Sequence, residues 1–168
     1  MKLVSRFAPS PSGLLHIGNV RSALLNWAYI NNKKGDFILR IDDTDEERSK
    51  KEFEEKIKHD LNWLGITWKK SFNQSTRTKI YDKAVNELKL NKRIYPCFES
   101  QEELSLKKKS QLTLGKPPIY DRSSLNLDDK EIHNLIKSGK NPHWRFKLED
   151  KTIEWNDLIK GKVSFDSK

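Results

Sequence analysis

The stretch RFAPSPSGLLHIGNVRSALLNW, residues 6–27, decides how the fold is read. Just before and into it, residues 3–8 (LVSRFA) are short and apolar-rich, as a strand would be. Pro9 and Pro11 then bar both a continuing ladder and a helix. Apolar residues at 17, 20, 24, 27 and 28 recur at helical spacing, so these positions are expected on one face of a helix. The order is strand, tight loop, helix. The loop delivers His16 and Gly18 to the helix N-terminus, where free N–H groups and the positive end of the macrodipole attract anions. Gly18 is expected to leave room for a ligand, and Gly13 to turn the loop where a side chain would clash.

Two familiar phosphate motifs do not account for this loop. Gly13 and Gly18 have P-loop spacing, but Asn19 and Val20 follow where Lys and Ser/Thr would stand. A G-x-G-x-x-G run is absent as well. Two readings remain at this point: an anion site with Ser10 and Ser12 upstream of the histidine, or an ordinary turn with a surface histidine.

The chain has 168 residues and a net charge of +9, which favours polyanionic partners such as nucleic acid, nucleotides or anionic membrane. No apolar run follows Lys2 and no stretch approaches the roughly 20 apolar residues of a membrane span. Cys97 is the single cysteine, so an internal disulfide is excluded, and one Cys with four scattered His suggests no zinc cluster. A cytoplasmic protein without structural metal is the simplest expectation.

DFILRID (36–42) reads as a buried strand, completing a βαβ unit with a parallel sheet. Ligands are then expected at the carboxyl ends of the strands, where the Pro9–Gly18 loop and the Asp42–Asp45 turn lie. Thr44 and Glu47 have capping-box spacing, so a second helix is expected from there, with Phe53, Ile57, Leu61 and Leu64 inward and Gly65 as its stop. A third helix spans 76–90. From Tyr95 the character changes: a strand-like YPCFES, a capping box at Ser100 and Glu103, a helix with Lys107, Lys108 and Lys109, then a proline-rich loop. A helix from Asp128 to Gly139 and strands at 142–149, 152–155 and 161–166 follow. Trp144 and Phe146 are expected on opposite sides of their strand. The division is placed at 1–94 and 95–168, with about two parallel strands in the first part.

These residues resemble the N-terminal part of bacterial glutamyl-tRNA synthetase, a class I aminoacyl-tRNA synthetase. The opening stretch is similar to the family's HIGH element, and LRIDDTDEERSKKEF to its next block. YPCFESQEELSLKKKSQL, PPIYDR, PHWRFK and WNDLIKGKVSFD resemble its inserted acceptor-stem-binding module. The resemblance implies an α/β fold: the first half of a Rossmann-like nucleotide-binding domain, then a small α+β insertion. It implies ATP-dependent activation of glutamate, with Mg2+ accompanying ATP, and transfer to the 3′ end of tRNA. His16, Gly18 and Asn19 would be catalytic, with Ala8, Pro9, Ser10, Ser12 and Gly13 also at ATP. Arg6, Ser10 and Asp42 would hold glutamate; Asp42 is one methylene shorter than the family's usual Glu. Without the family, Arg6 reads as a strand-end surface arginine and the acidic run as helix capping.

For the tRNA acceptor arm the resemblance points to Thr44, Asp45, Arg48, Lys107, Lys108, Lys109, Lys116, Arg122 and Arg145. His143 could add a phosphate contact, and Tyr120 and Trp144 could pack near bases or ribose. A lysine run is equally a solvated face. Some relatives bind zinc here through several Cys and a Tyr or His; with only Cys97, no zinc is expected. The family is usually monomeric, and the sequence leaves oligomeric state open. Its second signature, a Lys-Met-Ser-Lys-Ser-type loop, and its anticodon-binding region have no counterpart in these residues, so the chain is not expected to run the full reaction alone. A non-catalytic acceptor-stem-binding module and a glutaminyl-tRNA synthetase portion are the alternatives.

Overall fold

The computed structural model describes residues 2–167. Two compact units divide between Asp82 and Lys83, inside a helix. The compositional change near residue 95 therefore marks a later point, the start of unit 2's first strand.

In unit 1, β1 (Val4–Phe7), α1 (Ile17–Asn32), β2 (Asp36–Ile41), α2 (Lys51–Trp63) and β3 (Lys70–Asn73) build a parallel sheet in the order β1-β2-β3. Phe7 pairs with Leu39 and Arg40 with Phe72. The third strand is a correction to the expected two. Its residues, KSFN, offer one apolar side chain, too few to show a period of two. It is recruited by pairing with β2.

Phe37, Leu39 and Ile41 alternate inward from β2 and join Phe7, Ala23, Ile30, Ile57, Leu61 and Ile66 in one buried cluster. Trp27, Leu15 and Trp68 pack on its edge. The buried side of α1 is thus Ala23, Trp27 and Ile30. Ile17, Leu24 and Leu25 are exposed, which corrects the face expected from positions 17, 24 and 28. Both stripes have helical spacing, and only the sheet's position selects between them. On α2, Ile57 and Leu61 are buried as expected and Phe53 is half-buried, but Leu64 lies on the exposed side.

The start of α2 is a second correction. It begins at Lys51, with Lys50 at the cap position and no side-chain cap. Residues 45–49 form a separate turn, in which Ser49 N donates to Asp45 O. Lys50 N donates to Pro11 O at 2.9 Å, anchoring the helix start to the proline loop.

The helix α3 (Thr78–Leu90) follows a 3-10 turn at Ser75–Arg77. Unit 2 then contains β4 (Ile94–Cys97), α4 (Gln101–Thr113), a 3-10 turn at Ser123–Asn126, α5 (Asp129–Lys137), β5 (His143–Phe146), β6 (Thr152–Asp157) and β7 (Gly161–Asp166). β4 pairs antiparallel with β5, and β6 with β7. The helix α4 starts with the expected reciprocal cap of Ser100 with Glu103, and α5 carries the same device in Asp128 with Glu131. On β5, Trp144 and Phe146 share the exposed face. Their expected placement on opposite sides is corrected: residues two apart in a strand face the same way.

Candidate functional site

Three parallel strands end together, and their loops are tied to one another. Asp42 N, just past β2, donates to Pro9 O at 2.9 Å in the loop after β1. Asp43 reaches the loop after β3, accepting from Ser75 N, Ser75 Oγ and Asn73 Nδ2 at 2.7–3.0 Å. Burial pushes the Asp43 carboxyl up, but these donors outweigh it and leave it below its ordinary value. Glu54 accepts from the same Asn73 amide and pairs with Lys58, so the carboxylates at this edge are anchored.

The imidazole of His16 caps α1. Its Nδ1 accepts from Gly18 N at 3.1 Å, while Asn19 Oδ1 accepts from His16 N at 3.0 Å. At the helix end where an anion site was one of the two readings, the Gly18 amide is thus used by His16 in this structure. The reason for glycine at 18 changes with it. A Cβ there would lie 2.9 Å from His16 Cε1, so the glycine makes room for the histidine ring. At Gly13 a Cβ would meet nothing within 4 Å, so no clash demands a glycine there.

Pro9 and Pro11 are buried and Ala8 is half-buried, while Ser10, Ser12 and His16 face solvent. Arg6 is exposed and alternates with buried Phe7, which places it on the sheet face away from the core cluster. Asp42 is gripped at both oxygens by Arg40, at 2.5 and 2.8 Å. Its carboxylate is thus shared with an internal partner. Asp45 accepts from the Arg48 backbone and side chain, and this pair holds the Asp45 carboxyl below its ordinary value. Thr44 is exposed beside them. A cleft of about 340 Å3 is lined by Pro11, Asp43, Ser49, Lys50 and Glu54; neither His16 nor Arg6 borders it.

In unit 2 the basic candidates separate. Lys107 is held by Asp121 at 3.0 Å and by Ser123, and Arg122 by Asp150 and Ser167 O. Lys108, Lys109 and Lys116 are exposed, without an ion pair among the described residues. Arg145 stacks over the Tyr120 ring, its guanidinium carbon 4.1 Å from the centroid.

A family model described as tRNA synthetases class I (E and Q), catalytic domain, matches residues 2–168. The chain belongs to this family. Among class I tRNA synthetases of the E and Q type, it is 52% identical over 167 residues to glutamate–tRNA ligase 1 of Rickettsia massiliae. It is also 52% identical over 164 residues to glutamate–tRNA ligase 2 of Hyphomonas neptunium. It spans 99% and 98% of itself in these matches but 37% of each relative. A crystal structure of a glutamate tRNA ligase from Elizabethkingia meningosepticum in complex with its amino acid superposes with a TM-score of 0.88 at 33% identity. That match covers 99% of this chain and 36% of the other. The glutamate–tRNA synthetase from Elizabethkingia anophelis superposes with a TM-score of 0.89 at 33% identity.

The structure also gathers Cys97, Glu99 and His143, whose donor atoms lie within 4.8 Å of one another. Glu99 was not a candidate from sequence. A lone cysteine hid the group, because strand pairing of Cys97 with His143 brings together residues far apart in the chain.

Proposed function

We propose that this chain is the N-terminal portion of a glutamate–tRNA ligase, in which unit 1 takes ATP and glutamate and unit 2 meets the acceptor arm of tRNA. The supporting observation is the 52% identity to glutamate–tRNA ligases across essentially the whole chain. Unit 1 supports the reading chemically, because the loops after three parallel strands converge at one edge, where α/β sheets bind nucleotides. Mg2+ would accompany ATP as its counterion, and the working compartment would be the cytoplasm. No described helix is long and apolar enough to cross a membrane.

His16 must change partners for a triphosphate to reach α1. Its hydrogen bond to Gly18 N is exposed. Such a cap is worth about 1 kcal/mol. A triphosphate gains charge-assisted hydrogen bonds from the same amide and from the freed imidazole, and these are roughly twice as strong as neutral ones. The nucleotide would thus replace the cap interaction it displaces with stronger ones. His16 would then stabilise charge as pyrophosphate leaves, through positioned donors rather than a protein nucleophile, because the attacking carboxylate belongs to the substrate. Exposed Arg6 offers a planar fork for the glutamate side chain. Asp42 would serve the substrate ammonium through the oxygen face that Arg40 leaves open.

The test uses the 168-residue chain. A tRNA acceptor minihelix is titrated across a salt series, and tRNA-dependent ATP–pyrophosphate exchange is measured in parallel. The expected result is minihelix binding that weakens steeply with salt, with exchange well below that of a full-length family member. Absence of binding at low salt would overturn the assignment of unit 2, and exchange at full family turnover would overturn the assignment of this chain as a portion.

A further inference from the structure

The hydroxyl of Tyr120 sits at the centre of a polar cluster in unit 2. It donates to Glu99 Oε1 at 2.6 Å and lies 3.1 Å from Ser124 Oγ and 3.7 Å from Cys97 Sγ. Glu99 also accepts from Ser123 Oγ and Ser124 Oγ, each at 3.1 Å, with Lys107 Nζ 3.7 Å away. Ser124 and Cys97 are buried. The cluster ties the end of β4 to the loop that follows the proline-rich segment.

This is also where Cys97, Glu99 and His143 could hold a cation. The fit to a metal is poor. Both Glu99 oxygens already accept from hydroxyls, and the Tyr120 hydroxyl oxygen stands 2.6 Å from Glu99 Oε1 and 3.7 Å from Cys97 Sγ, among the donor atoms a cation would need. A structural zinc site wants four closed ligands with deprotonated thiolates, and one cysteine is present.

The Tyr120 ring meets two cations. Arg145 lies over it at 4.1 Å and Lys107 at 5.8 Å. The Arg145 Nε is buried without a hydrogen-bond partner. Arg145 borders two cavities, of about 570 and 600 Å3, that Tyr120 also lines. A guanidinium held over a ring by a cation–π contact keeps in-plane N–H groups that suit an external anion.

We propose that Glu99, Tyr120 and Ser124 form a metal-independent anchor, and that Tyr120 is a positioning residue presenting the Arg145 guanidinium to an RNA phosphate. The second half rests on the assignment of unit 2 to the acceptor arm; the first half does not.

Two experiments separate the halves. In the first, the 168-residue chain is melted with EDTA and with added Zn2+, and its metal content is measured after dialysis. The expected result is an unchanged melting temperature in both and no stoichiometric zinc. One retained zinc per chain, with a raised melting temperature, would overturn the metal-independent anchor. In the second, anisotropy titrations of an acceptor minihelix compare wild type, Tyr120→Phe, Ser124→Ala and Arg145→Ala. Arg145→Ala is expected to flatten the slope of log affinity against log salt by about one. Tyr120→Phe keeps the ring and loses the hydroxyl. It is expected to flatten the slope in the same direction, with Ser124→Ala intermediate and serving in its place if Tyr120→Phe does not fold. Wild-type slopes in folded Tyr120→Phe and Ser124→Ala would overturn the positioning role. A wild-type chain that binds no RNA would overturn the acceptor-arm assignment and the positioning role together, leaving the anchor to the zinc experiment.

Discussion

The imidazole of His16 shows how one residue can serve fold and chemistry in turn. In this structure it completes the first turn of α1, and the missing Cβ of Gly18 is what lets it do so. His16→Ala is expected to lower the stability of the chain by about 1 kcal/mol, the usual worth of an N-cap, read from urea unfolding. Glu99 gives a second prediction at this scale. Burial pushes its carboxyl up, but the hydroxyls of Tyr120, Ser124 and Ser123 and its own backbone outweigh burial and bring it from 4.5 down to about 2. A carboxyl lowered in the folded state stabilises above its unfolded pKa and loses that contribution as pH falls. The stability advantage of wild type over Glu99→Gln is therefore expected to be full above about pH 4.5 and to vanish toward pH 2, measured by unfolding at a series of pH values.

At the scale of elements, helix starts separate what local chemistry decides from what it does not. Ser100 with Glu103, and Asp128 with Glu131, satisfy each other's backbone donors within four residues, so α4 and α5 were legible. Thr44 and Glu47 have the same spacing, yet the chain turns there for its own reasons and α2 waits until Lys51. The carbonyl of Pro11, remote in sequence, holds that start through Lys50 N. Asp128→Ala should cost about 1 kcal/mol by loss of its cap. Lys50 has extended backbone and no capping side chain. Lys50→Ser should therefore raise stability by a few tenths to 1 kcal/mol. Thermal melts of both variants check the pair, since the two changes should move the melting temperature in opposite directions.

Across the whole molecule, unit 1 rests on one cluster in which β2 contributes Phe37, Leu39 and Ile41 and the helices contribute Ala23, Ile30, Ile57 and Leu61. Leu61 is fully buried, so Leu61→Ala is expected to cost about 2–5 kcal/mol in unfolding free energy. Leu24 is 45% exposed, so Leu24→Ala should cost far less, although sequence periodicity ranks it with the buried face. Comparing these two variants by urea unfolding tests the assignment of the buried stripe.

The sequence by itself determined the elements whose causes are local: β1, the proline loop, α1, β2, and the capped helices of unit 2. It also carried the family, because several motif blocks appear in order along the chain. Tertiary structure alone decided which stripe of α1 is buried, since several apolar stripes fit a helix and only a neighbouring sheet chooses one. It decided that KSFN is a strand, because backbone pairing with β2 supplies what its side chains do not. It also decided the occupied state of the site residues. Arg40 beside Asp42, His16 on Gly18, and Glu99 around the Tyr120 hydroxyl are matters of side-chain geometry, and charge and hydrogen-bond partners are set by where folding brings groups in space.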